Sequence, residues 1–216
     1  MDIFTHIVVT VGRIYPNGVQ MLGTGFFVRN SGILATPRHV VGDSSNGLVI
    51  LAPHINSFSQ YQDTSDNSCR HINATIIESD PVRDIALLQV QDLQLSGELP
   101  PIGSFDSVDV GQSVHIYGYP HCTQGRRVLT YQRAEIGSKI LLDSTGIKSK
   151  YAVINTQSRP GQSGSLIFCP KTLNVVGMLN GAYVPEGDAP ILVGINPHEL
   201  NQTTQCISAH YIEDMI

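Results

Sequence analysis

The sequence predicts an all-β protein closed by one C-terminal helix, and three observations carry the prediction. Twelve apolar and β-branched runs of four to seven residues recur along the 216-residue chain, each bounded by Gly, Pro, Asn or Ser. Short runs between turn residues are the pattern of barrels and sandwiches. Helical periodicity is missing until the end, where Ile207, Tyr211 and Met215 with Ile212 and Ile216 share one face while His210, Glu213 and Asp214 fall elsewhere. That spacing predicts an amphipathic helix over residues 206–216. Charged residues make up only 14% of the chain against 41% hydrophobic, the balance of a chain that buries a core.

The first four runs, His6–Val11, Gly23–Val28, Gly32–Ala35 and Gly47–Leu51, are rich in Val, Ile, Leu and Phe, side chains that suit a pleated, half-buried surface. The polar stretch Asn56–Ser68 reads as a surface loop, and His71–Ile77 and Ile85–Val90 resume the strand pattern. Between Gln91 and Asp109, Pro100-Pro101 resists both helix and central strand, so the connection between two halves is placed there. Ser113–Tyr117, Arg127–Arg133, Ala152–Asn155, Ser165–Phe168, Val175–Leu179 and Ile191–Ile195 supply the second half. The chain is long enough for two small barrels of about a hundred residues each, and the expected division is 1–98 and 99–216.

Charge and cysteines exclude several classes. A net charge of −5 with scattered Lys and Arg argues against a nucleic-acid module, which would carry a basic stripe. Cys69, Cys122, Cys169 and Cys206 form no Cys-x-x-Cys pair, so free thiols are expected. The apolar stretch Ile7–Val11 is too short for a secretory core, and no stretch approaches the roughly 20 apolar residues of a membrane helix. A cytoplasmic protein without a membrane partner is the expectation. His115, His121 and Cys122 lack a fourth ligand at zinc spacing, and Asp63, Asp66 and Asn67 lack a calcium-loop pattern, so no metal or cofactor is expected.

The chemistry gathers in three segments. Arg159-Pro160-Gly161-Gln162-Ser163-Gly164-Ser165 holds a Gly-x-Ser-Gly turn; His39 follows Thr36-Pro37-Arg38; Asp84 precedes the apolar Ile85-Ala86-Leu87-Leu88. Each alone has a structural explanation: Gly and Ser fill ordinary loops, a histidine beside an apolar run is usually a satisfied structural residue, and an aspartate often ends a turn. Together they supply what peptide hydrolysis needs: a nucleophile, a base, an anion to orient the base, and donors for an oxyanion. Ser163 would attack, His39 would take and return the proton, and Asp84 would hold the His39 tautomer. The N–H groups of Gly161 and Ser163 would form the oxyanion hole, with Gly161 permitting a conformation a Cβ would hinder and Pro160 fixing φ at the turn's entrance. The order His39, Asp84, Ser163, with gaps of 45 and 79 residues, is that of the chymotrypsin class and differs from the α/β-hydrolase order.

These motifs carry a family resemblance. Gly23-Thr24-Gly25-Phe26-Phe27-Val28 and Thr36-Pro37-Arg38-His39-Val40-Val41 resemble trypsin-like proteases of the HtrA/Deg and glutamyl endopeptidase type. Asp84-Ile85-Ala86-Leu87-Leu88, Gly118-Tyr119-Pro120 and Gly161-Gln162-Ser163-Gly164-Ser165 extend the likeness over residues 5–200. The resemblance implies two six-stranded antiparallel β-barrels of chymotrypsin-like fold, with the active site in the cleft between them and a protein or peptide as substrate. It also places the base of the primary specificity pocket at Gln157 and its wall at the backbone near Leu179, Asn180, Gly181 and Ala182. A neutral Gln157 implies a neutral P1 side chain, and Asn180 to Ala182 an edge for an antiparallel substrate strand.

Two departures qualify it. Gln162 stands where the digestive relatives have an aspartate that pairs with a freed N-terminus, so ordering of the turn must come from its amide and from packing. Leu166 stands where relatives usually have proline, a change read as packing. Two alternatives to a constitutive enzyme remain open: a protease held latent until an activating protein partner orders the oxyanion turn, and a catalytically silent barrel that binds peptides.

Overall fold

The computed structural model describes residues 2–66, 68–182 and 203–216. Twelve strands close into two six-stranded antiparallel barrels. The first contains β1 (Val8–Tyr15), β2 (Gly18–Arg29), β3 (Ile33–Pro37), β4 (Leu48–Leu51), β5 (His71–Asp80) and β6 (Ile85–Val90), in the spatial order β1-β2-β3-β6-β5-β4. The second contains β7 (Ser113–Gly118), β8 (Thr130–Ser144), β9 (Ile147–Ile154), β10 (Leu166–Cys169), β11 (Asn174–Ala182) and β12 (Thr204–Ser208), in the order β10-β11-β12-β9-β8-β7. Full closure leaves neither sheet an unpaired edge along its length.

Eleven of the twelve expected runs overlap strands; the twelfth, Ile191–Ile195, lies outside the described residues. The last strand is β12 instead, in the stretch where the periodicity predicts helix. Cys206 and Ile207 are fully buried there, and the strand pairs with β9 and β11 on either side. Only one helical turn follows, α3 (His210–Glu213). The spacing of four between Ile207 and Tyr211 joins a strand residue to a helix residue, so it was never a helical stripe.

Each barrel is clasped by the terminus of the other. The short helix α1 (Ile3–Ile7), ahead of β1, sends Phe4 across to the second barrel, where its ring stacks on Tyr117 at 4.0 Å and meets Phe168 edge-on at 5.0 Å. From the opposite end, α3 packs on the first barrel: Ile212 is buried, Glu213 pairs with Arg29 at 2.7 Å, and the Arg83 guanidinium lies 4.3 Å over the Tyr211 ring. One apolar cluster therefore runs through both barrels, from Phe4 and Val8 to Tyr117, Met178 and Ile212, while Ile116, Ile154, Val176 and Cys206 belong to a second cluster within the C-terminal barrel.

Phe4 is 4% exposed at this crossing. Phe4→Ala is expected to lower the free energy of unfolding by about 3 kcal/mol, the cost of lost transfer energy plus a cavity, read by urea denaturation.

Candidate active site

His39 is delivered by α2 (Arg38–Val41), a single turn that begins immediately after the Pro37 end of β3 and is stopped by Gly42, whose φ is +65°. Such a turn leaves its first N–H groups without helical partners. Asp84 supplies them: its C=O accepts from Arg38 N at 3.1 Å and its Oδ1 from His39 N at 2.8 Å. Its Oδ2 lies 2.5 Å from His39 Nδ1. One residue thus holds both the backbone of the turn and the ring it carries, which leaves Nε2 as the ring nitrogen free of Asp84.

Asp84 reaches this place through a left-handed backbone conformation, φ +57°. A tight turn upstream sets it up, in which Asp80 Oδ1 accepts from Val82 N at 2.9 Å and Arg83 N at 3.0 Å while Oδ2 pairs with Arg83 at 2.7 Å. Burial pushes the Asp84 carboxyl up, but the His39 ring, the His39 N–H and the Asn180 amide outweigh it and hold the group below the usual carboxylate range.

Ser163 sits on the turn preceding β10. Gln162 N donates to Arg159 O at 3.0 Å, closing a four-residue turn with Pro160 second and Gly161 third, the latter at φ +90°. Proline then glycine with positive φ is the type II arrangement. A Cβ on Gly161 would lie 2.6 Å from Cys122 Sγ and 2.9 Å from Tyr119 O, so both conformation and space require glycine. Gln162 is 2% exposed; its Oε1 accepts from Arg159 N at 2.7 Å and its Nε2 donates to Gln132 Oε1 at 2.7 Å. A neutral amide holds the turn here. Among the described residues, the N–H groups of Gly161 and Ser163 donate to no protein acceptor.

The three candidate residues are not joined throughout. His39 and Asp84 are bonded, whereas Ser163 Oγ donates to the Asn180 carbonyl at 2.8 Å, and no bond joins Ser163 to His39 among the described residues. Asn180 stands at a β-bulge, the extra residue between the Leu179↔Cys206 and Gly181↔Gln205 pairs. Its side chain turns to the cleft, where Nδ2 reaches Asp84 Oδ2 at 3.3 Å and Oδ1 accepts from Ile207 N at 3.1 Å. The sequence reading missed this link. Its signal was one polar residue inside the apolar run Val175 to Ala182.

The remaining expected residues separate. Leu179 turns its side chain into the core of the C-terminal barrel, and its N–H and C=O are bonded to Ser165 O and Gly164 N. Gly181 and Ala182 pair with β12 on one side and extend past the end of β10 on the other. Gln157 is half-buried between β9 and the turn. Of the weighed metal candidates, His115 lies on β7 against the rings of Tyr117 and Tyr131, and Cys122 lies buried beneath Gly161 with its thiol pushed up to about 12 by burial. All four cysteines are free thiols.

Residues 23–178 match the family described as the trypsin-like peptidase domain. The chain belongs to that family. Among curated relatives, this trypsin-like serine protease domain is 33% identical over 103 residues to a "Probable periplasmic serine endoprotease DegP-like" of Pseudomonas fulva, covering 47% of this chain and 18% of that one. It is 25% identical over 173 residues to the magnetosome formation protease MamE of Magnetospirillum gryphiswaldense, covering 78% of this chain and 20% of that one. The chain thus spans about a fifth of the length of these relatives. Its fold matches the active form of the Rv3671c protease of M. tuberculosis with a TM-score of 0.68 at 22% identity, covering 99% of this chain and 80% of that one.

These relatives correct one expectation. A cytoplasmic protein was inferred from the lack of an export signal, but the relatives are named as periplasmic and magnetosome proteases. In a chain that spans a fifth of its relatives, the local sequence carries no information on location. Among the described residues, no helix is long and apolar enough to cross a membrane.

Two outcomes follow from the site's bonds. Gln162→Ala strands Arg159 N–H and the Gln132 carbonyl, and is expected to cost about 1–3 kcal/mol of stability and to lower kcat more than it raises KM, measured by denaturation and steady-state kinetics. Because the Asp84 carboxyl is depressed in the fold, its stabilisation is present above the unfolded value of about 3.9 and is lost as pH falls through the lower folded value. Thermal melts across the acid range should therefore fall more steeply for the wild type than for Asp84→Asn.

Proposed function

We propose that this domain is a serine endopeptidase in which His39, Asp84 and Ser163 form a catalytic triad acting through an acyl-enzyme. The observation that supports it most is the grip of Asp84 on both the backbone and Nδ1 of His39, which leaves Nε2 as the ring's working nitrogen. In the reaction, Ser163 Oγ rotates from the Asn180 carbonyl toward Nε2, gives up its proton and attacks the scissile carbonyl carbon. The carbonyl oxygen becomes an oxyanion received by the Gly161 and Ser163 N–H groups. His39 returns the proton to the leaving amine, leaving Ser163 acylated, and then activates water to release the acid.

The substrate is a protein or peptide bound as an added strand along Asn180 to Ala182. A neutral P1 side chain follows from a neutral Gln157 at the pocket base. The location we propose follows the relatives, outside the cytoplasm. Burial of Cys122, Cys169 and Cys206 would keep those thiols from pairing in an oxidising compartment.

A second reading is favoured by one observation, the bond from Ser163 Oγ to Asn180 O. It describes a resting enzyme whose nucleophile is engaged elsewhere until a substrate or an activating protein partner arrives. A fluorophosphonate probe read by intact mass separates the readings. Prompt stoichiometric addition at Ser163 is expected of the competent enzyme, slow addition quickened by a peptide of the resting form, and none of a silent barrel. Ser163→Ala is expected to reduce peptide turnover by about 10⁴-fold or more while leaving the melting temperature near that of the wild type.

A further inference from the structure

We propose that Thr24, on β2 of the first barrel, is a positioning residue for the oxyanion turn of the second, its hydroxyl setting the orientation of the peptide groups on both sides of Gly161. The inference rests on the reading above, in which the Gly161 N–H receives the oxyanion.

Thr24 has no solvent exposure and sits in the Gly23-Thr24-Gly25 stretch, to which the proposed reaction assigns no role. Its Oγ1 lies 2.9 Å from Gly161 O and 3.0 Å from Tyr119 N. A carbonyl can only accept and an amide N–H can only donate, so the hydroxyl must donate to Gly161 O and accept from Tyr119 N. Its proton position is fixed by its partners. The backbone is held as well: Thr24 N donates to Ser163 O at 2.9 Å, and Thr24 O accepts from Thr36 Oγ1 at 2.8 Å. The β-branched side chain restricts χ1, which keeps the hydroxyl aimed.

Both peptide planes at Gly161 depend on these bonds. The Gly161 C=O is held directly by Thr24 Oγ1, with a weaker contact from Cys122 Sγ at 3.6 Å. The Pro160 C=O is held by His121 N at 2.6 Å, and His121 belongs to the short turn that Thr24 anchors at Tyr119. Within one planar peptide the C=O and N–H point in opposite directions. Holding Pro160 O against His121 therefore aims the Gly161 N–H the other way. Glycine at 161 opposes rotation of this peptide little, since it has no Cβ. If the peptide turned over, Pro160 O would replace the Gly161 N–H and present a carbonyl to a developing negative charge. The hydroxyl of Thr24 guards against that inversion from across the barrel interface.

The test compares wild type with Thr24→Val, which keeps shape and removes the hydroxyl, and Thr24→Ser, which keeps the hydroxyl. Thr24→Ala, with room for a water in the hydroxyl's place, stands in if the valine protein does not fold. Steady-state peptide hydrolysis is read beside amide hydrogen exchange at Gln162, whose N–H closes the turn. A full oxyanion donor is worth about 10²–10³ in kcat. Thr24→Val is expected to lose about tenfold or more in kcat with KM within about twofold, because the loss falls on the transition state. Gln162 exchange should quicken by about tenfold while the barrel amides of Leu88 and Ile116 hold their rates, and Thr24→Ser should restore both. Unchanged kcat with unchanged Gln162 exchange would overturn the inference, as would a serine variant no better than valine, or barrel amides that quicken in step with Gln162. Were the wild type to hydrolyse nothing, the exchange data alone would decide the role of Thr24, and the proposed function would be what fails.

Discussion

The bond from Thr24 N–H to the Ser163 carbonyl, 2.9 Å long, is the point on which the rest of the site depends, because it joins two barrels that share no strand. His39 and Asp84 belong to the first barrel and Ser163 to the second. Ladder hydrogen bonds close within each barrel and cannot set the relation between them. That relation is fixed by close approach at the interface. A Cβ on Gly164 would lie 1.8 Å from Thr24 O, and one on Gly23 would lie 2.9 Å from Val40 and 3.1 Å from Ser163 O. Backbones this close are in direct contact, and the interlocked termini behind them, Phe4 on Tyr117 and Tyr211 under Arg83, resist sliding. A misplacement of about 1 Å can cost a hundredfold in rate, so in the proposed reaction this packing would bear on the chemistry as much as on stability.

The site's buried polar groups follow a consistent division. Among the described residues, the turn that carries Ser163 is held by neutral partners: Gln162 between Arg159 N–H and Gln132, and Thr24 between Gly161 and Tyr119. A charge in the place of Gln162 would need a buried counter-charge, and removing either member of such a pair leaves the other uncompensated. An amide with both ends bonded avoids that desolvation and needs no new terminus to complete it. Charge is kept for Asp84, where the His39 ring, the His39 N–H and the Asn180 amide surround the carboxylate and keep it ionised. Arrangement by neutral bonds on one side and by an anion on the other puts the negative potential next to the His39 ring and away from the turn that carries Gly161 and Ser163.

Local patterning made part of this readable. Strands announced themselves because closed barrels bury one face of every strand and bound it with turn residues. His39, Asp84 and Ser163 stood out because each lies in a short turn at a strand end, flanked by residues with few other uses there: Pro37, Asp80-Pro81 and Pro160-Gly161. What stayed hidden depends on tertiary contact. β12 is Thr-Gln-Cys-Ile-Ser, too polar to read as a strand, and becomes one because β9 and β11 offer it partners on both sides. The contact of Asn180 with Asp84 comes from a bulge, which no periodicity records. Leu179 follows from the same bulge: it keeps the inward phase of the strand, and the residue after it leaves the ladder for the cleft. Cellular location was not legible because nothing in the barrels depends on it.

The bulge also bears on where the Ser163 hydroxyl sits. By taking Asn180 out of the ladder, it leaves the residue's carbonyl without a strand partner, and Ser163 Oγ satisfies that carbonyl at 2.8 Å. A half-buried acceptor seeks a donor, and the serine hydroxyl supplies one. A peptide added as a strand along Asn180 to Ala182, as proposed above, would bring backbone N–H groups to the same edge. If such an N–H took over the carbonyl, the hydroxyl would lose its partner at Asn180 and be released to turn toward His39 Nε2, as the proposed reaction requires. In the reaction proposed above, binding of the strand and release of the Ser163 hydroxyl would then be one event, driven by the exchange of a single hydrogen-bond donor.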